Sequence, residues 1–118
     1  MPDHLIRAML PALNVRLVAA LTTELSRNAA ERHNTSAAAA CALSRGLTAG
    51  LLLATLTKNE ERVTLQLVGN GPLRGLTVDA YGDGLVRGYP LEPRGAEEAT
   101  AKMAKRQRMA DLIGARGW

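Results

Sequence analysis

The chain has 118 residues, one cysteine, no phenylalanine, 47% apolar residues and a formal net charge of +4. That length suits one small domain with an aliphatic core. The lone Cys41 excludes an intrachain disulfide framework, and the start "MPDHLIRAML" lacks a basic segment, apolar run and cleavage site in the order of an export signal.

The expected location is therefore the cytoplasm. The basic excess is concentrated in "EEATAKMAKRQR", which carries Lys102, Lys105, Arg106 and Arg108, whereas residues 37–57 carry Arg45 alone. A solvated helix face accounts for such a cluster, and no aromatic residue stands beside it to stack on bases. A small basic nucleic-acid- or ribosome-binding domain is carried as the alternative.

In chain order, "ALNVRLVAALT" (Ala12 to Thr22) alternates weakly, with Val15, Leu17, Ala19 and Leu21 on one side, and is expected as a strand. A short helix is expected from Glu24 to His33, with Thr23 as its N-cap. Ser36 then caps "AAAACALSRGLTAGLLLATLT", a helix that is apolar nearly all round. Gly46 and Gly50 form a GxxxG pair of the kind used between membrane helices. Arg45 near the middle and the abundance of Ala and Gly argue instead for a central core helix whose small residues admit a close neighbour.

From Arg62 the period becomes two. Val63, Leu65 and Leu67 alternate with Thr64, Gln66 and Val68, and Leu76, Val78 and Ala80 alternate with Thr77, Asp79 and Tyr81. "LVRGYP" follows as a third strand. "GNGPLRGLTVDAYGDG" holds five of the chain's eleven glycines and opens as G-x-G-x-x-x-G. A phosphate loop leads from a strand into a helix, whereas here a strand follows, so the glycines are turn residues of an antiparallel meander. Gly75 and Gly88 fall inside strands, where a bulge or a close backbone approach is expected. A last helix is expected from Glu97 to Leu112.

Residues for catalysis do not converge. Cys41 lies in the apolar helix as a small hydrophobe, His4 and His33 have no partner at a useful spacing, and the acidic pairs Glu60-Glu61 and Glu97-Glu98 read as solvated. No catalytic, cofactor or metal residue is assigned, and the chain is expected not to be an enzyme.

The order of parts resembles the redox-regulated heat shock protein thirty-three chaperone family. The resemblance rests on "AAACALSRGLTAGLLLATLTK" and on "VTLQLVGNGPLRGLTVDAYGDGLVRGYP", with its V-T-L-Q-L-x-G-x-G-P core and its V-R-G-Y motif, and more loosely on "DLIGARGW". It implies an α+β fold, with a mixed sheet and antiparallel meander packed against a central apolar helix and flanking helices. It also implies an ATP-independent holdase that binds unfolded proteins in oxidising stress, of which residues 1–118 are an incomplete N-terminal core domain. In that family a C-terminal domain binds zinc through C-x-C and C-x-x-C cysteines. No such motif occurs here, so neither zinc nor the switch is attributed to these residues. The segment Arg94 to Arg108 departs from the family's shorter connection.

Holding an unfolded chain requires exposed apolar surface rather than a reactive constellation. The central helix can cover one face of the meander. Client contact is therefore expected on the other face or its rim, with Leu76, Val78, Val86 and Tyr89 as candidates, the competing reading being that they are core. A homodimer is expected from the unpaired edge of an incomplete sheet. The expected partners are unfolded or misfolding proteins, with no membrane and no nucleic acid.

Overall fold

The computed structural model describes residues 2–57 and 61–95. The expected helix at Glu97 to Leu112, the basic cluster and "DLIGARGW" lie outside the described residues. The architecture is α+β, with two antiparallel sheets and two helices. Strands β1 (His4–Leu10) and β2 (Val15–Leu21) form a hairpin. Helices α1 (Thr23–His33) and α2 (Ala37–Ala54) follow, and then β3 (Arg62–Val68), β4 (Gly75–Tyr81) and β5 (Val86–Pro90) form a meander in the order β3-β4-β5.

Strand β1 was not foreseen, and the strand expected from Ala12 begins at Val15. The intervening Pro11–Leu13 form a 3-10 turn that closes on Asn14, whose φ of 49° is left-handed. Asn tolerates that conformation better than most residues, and Pro pre-sets the turn before it.

Helix α1 also starts differently. Thr22 occupies the N-cap position without a side-chain bond, and Thr23 is already helical. The orphan amides are met from a distance instead, because the Asp3 carboxylate accepts from Glu24 N at 3.1 Å and Leu25 N at 2.7 Å. The extended segment before β1 thus caps α1, with a carboxylate at the positive end of the helix. Asp3→Ala is expected to lower stability by about 1 kcal/mol, read as a shift in the urea midpoint with an unchanged slope.

Helix α2 is the centre of the molecule. Its cap is as expected, with Ser36 Oγ accepting from Ala39 N. The same hydroxyl donates to Gly95 O at 2.7 Å and Ser36 N donates to Pro93 O at 2.7 Å, which fastens the segment after β5 over the start of the helix. One side of α2 meets α1 through two hydroxyl pairs, Thr22–Thr48 at 2.7 Å and Ser26–Ser44 at 2.9 Å. The other side meets the meander. Helix α2 is long and apolar enough to cross a bilayer, but half of it is buried within the molecule.

The two small residues noted in α2 admit the sheet. A Cβ on Gly46 would sit 2.8 Å from Leu76 Cδ1, and one on Gly50 would sit 2.6 Å from Val78 Cγ1, so a side chain at either position would have to displace the facing residue of β4. The core consists of Ala38, Ala39, Ala42, Leu43 and Leu47 of α2 with Leu73, Leu76 and Val78. Leu73 was not foreseen: it lies in the connection after β3, yet it is fully buried.

The meander has the expected parity. Gly75 shows the expected close approach, since it has φ 143° and any Cβ there would run into Leu67 O. The connections are turns, closed by Arg74 N to Gly71 O at 3.0 Å, Gly69 N to Arg74 O at 2.9 Å and Tyr81 N to Leu85 O at 2.8 Å. A strand follows the G-x-G-x-x-x-G run, as the turn reading requires.

Candidate functional site

The exposed large hydrophobic residues among the described residues concentrate in the β1–β2 hairpin, at Ile6, Met9, Leu10, Leu13, Val15 and Leu17. Its register pairs Ile6 with Ala19, Ala8 with Leu17 and Leu10 with Val15, so these six residues share one face. All six are exposed, Ile6 at 53% and Leu17 at 54%, and Leu13 at the hairpin tip reaches 72%. The face is aliphatic from Ile6 to Leu10, and the pair His4–Leu21 continues it at the open end of the hairpin.

The opposite face of the hairpin holds it to the body. Arg7 Nη2 donates to Gly82 O at 2.7 Å, in the turn between β4 and β5, and Arg16 Nη2 donates to Thr55 O, just past the end of α2. Leu5, Val18 and Ala20 on this face are half-buried. Two guanidinium clamps to backbone carbonyls thus fix the orientation that turns the aliphatic face outward.

The four meander candidates do not share a face, which corrects the expectation that placed them on the uncovered side or its rim. Leu76 and Val78 are 0% exposed and lie against α2. Val86 is half-buried and packs on the same core. Tyr89, 47% exposed, stands on the opposite face, paired with Thr77, with its ring 6.3 Å from that of His33. The competing core reading therefore describes the position of Leu76 and Val78. The uncovered face is polar: Thr64 Oγ1 donates to Asp79 Oδ1 at 2.7 Å, and Arg87 Nε lies 3.8 Å from Asp79 Oδ2.

Sequence reasoning missed the hairpin face. The signal was present in the alternation of Ile6, Ala8 and Leu10, bounded by Pro11 and Asn14.

Other reactive groups are dispersed. Cys41 is half-buried beside the core, and the ring of His4 bonds Pro2 O at 2.9 Å. No group of three or more His, Cys, Asp or Glu among the described residues could hold a metal. With one cysteine in the sequence, a four-cysteine zinc site cannot be built from these residues.

The sequence is similar to known proteins over most of its length. A family described as Hsp33 protein matches residues 3–117. A 33 kDa chaperonin of Synechococcus sp. (strain JA-3-3Ab) is 48% identical over 94 residues, which is 79% of this chain and 29% of that protein. A 33 kDa chaperonin of Symbiobacterium thermophilum is 47% identical over 103 residues, 86% of this chain and 35% of that protein. A third, from Geobacter sp. (strain M21), is 40% identical over 94 residues, covering 80% of this chain and 32% of its own length. The chain thus spans about a third of the length of these curated relatives.

Proposed function

This chain belongs to the Hsp33 protein family, and from that premise we propose that it supplies an ATP-independent holding surface for unfolded proteins. The observation that carries the reading is the outward aliphatic face of Ile6, Ala8, Leu10, Val15, Leu17 and Ala19. Such a face gives up hydration on contact with any apolar segment, without a sequence code, which suits a partner defined only by being unfolded. Aliphatic side chains on such a face accommodate many apolar shapes.

Use in the cytoplasm, induction by oxidising stress and homodimer formation belong to the same proposal. In a dimer, a second copy competes for the same apolar area.

The test is light scattering of a chemically denatured, aggregation-prone enzyme diluted into buffer with and without the folded chain, without nucleotide. Suppression is expected, and it should persist as salt rises, since apolar contact is not screened. Suppression that collapses with a steep logarithmic dependence on salt would favour phosphate-like contacts through basic residues and thus the nucleic-acid alternative. No suppression by a folded sample would remove the holding role from these residues.

A further inference from the structure

A second feature has no role in the reading above: the edge of β5 that pairs with no other strand among the described residues, and the groove beside it. Leu91 N donates to Gly75 O at 2.9 Å and Tyr81 N donates to Leu85 O at 2.8 Å, which fixes the phase of the β4–β5 ladder. Odd-numbered residues of β5 exchange bonds with β4. Even-numbered Val86 and Gly88 therefore turn their N–H and C=O groups toward the opposite edge.

Helix α1 stands across this edge without closing on it. Two adjoining clefts of about 360 and 230 Å³ lie between them, sharing Arg32, His33, Arg87 and Gly88. Leu25, Leu47 and Val86 give the smaller cleft an apolar floor. The larger one opens over the polar face, where Thr77 Oγ1 is buried without a hydrogen-bond partner among the described residues. Of the two guanidinium groups at the rim, Arg87 already faces Asp79 at 3.8 Å, whereas Arg32 has no ion pair among the described residues.

We propose that this groove binds an extended, acidic segment of an unfolded protein as an added strand on β5. The inference rests on the proposed binding of unfolded proteins and names the chemistry of the segment. Strand addition pairs the segment's main chain with Val86 and Gly88, and the two-residue period sorts its side chains. One set rests on Leu25, Leu47 and Val86. The other points to the polar cleft, where a carboxylate meets Arg32. Charge complementarity selects an acidic segment, because the groove presents Arg32 and Arg87 against Asp79 alone. Pro90 has no N–H and ends the pairing edge.

The test uses a fluorescein-labelled short peptide alternating valine with glutamate, titrated with the full chain by fluorescence polarisation. Replacing its glutamates with glutamine is expected to weaken binding about threefold, the scale of an exposed charge pair. Arg32→Gln in the chain should erase that difference. N-methylation of the peptide amides on one alternation should weaken binding about tenfold, by removing ladder hydrogen bonds, while methylation on the other alternation leaves it unchanged. Equal binding of the two methylated peptides, or a glutamate preference that survives Arg32→Gln, would overturn the proposal. The methylation arm needs no change in the protein, so folding does not confound it. Failure here with intact suppression of aggregation rejects the groove alone; loss of suppression with discrimination among the peptides rejects the hairpin reading alone.

Discussion

Leu76→Ser is expected to unfold the chain rather than to weaken one binding surface. Leu76 is 0% exposed and its Cδ1 lies 2.8 Å from where a Cβ on Gly46 would be, so it fills the space between α2 and β4. The substitution removes the burial of a leucine side chain, about 1.5–3 kcal/mol, and leaves a cavity that adds to the loss. It also places a hydroxyl in an apolar site, at a further cost of about 1–3 kcal/mol. A combined loss of about 4 kcal/mol is comparable with the whole stability of a small domain, roughly 5–15 kcal/mol. Urea titration followed by circular dichroism should show loss of the folded baseline. Tyr89→Ser, on the polar face, is expected to shift the transition by about 1 kcal/mol or less. A folded Leu76→Ser chain with selectively impaired holding would instead place Leu76 at a client-accessible position.

The converse result is expected for the hairpin. Ile6→Glu together with Leu17→Glu puts two carboxylates on the outward face, where both positions are already more than half exposed. Each change should alter stability by only about 0.5 kcal/mol, because little buried surface is lost. Holding should fall about tenfold in the amount of chain needed to suppress scattering, since an apolar client segment would then desolvate a charge on contact. Leu53→Glu, at an exposed position on α2, serves as the control for added charge elsewhere. Equal suppression by the hairpin variant and the control would exclude the outward face as the contact surface.

The contrast between these variants shows which parts of the fold were legible. Helix α2 and the meander announce themselves because their patterns are long: a mostly apolar run behind Ser36, and alternation from Val63 to Leu67 and from Leu76 to Tyr81. Parity within one strand was also readable. Val86 and Tyr89 are three residues apart, which in extended backbone places them on opposite faces, so grouping them as one surface overlooked a relation already in the sequence. Which face α2 covers is a tertiary choice, and the paired close approaches of Gly46 to Leu76 and Gly50 to Val78 emerge only once the helix is laid on the sheet. Strand β1 was missed because an aliphatic turn, Pro11 to Leu13, continues the hydrophobic run, and no glycine marks the reversal. The cap of α1 by Asp3 joins groups about twenty residues apart, beyond any local pattern.

The attachment of the hairpin has a consequence for the order in which the molecule opens. Among the described residues, strands β1 and β2 pair only with each other and are tied down by the Arg7 and Arg16 clamps and the Asp3 cap, while the apolar core lies between α2 and the meander. A two-stranded ribbon is marginal by itself in water. It should form a cooperative unit of its own, whose amides exchange with deuterium through local opening while those of α2 and β4 wait for global unfolding. The chain then has two levels of protection, with the lower one in the same ribbon that carries the outward aliphatic face. That ribbon can reshape itself around a partner without loosening the core beneath it.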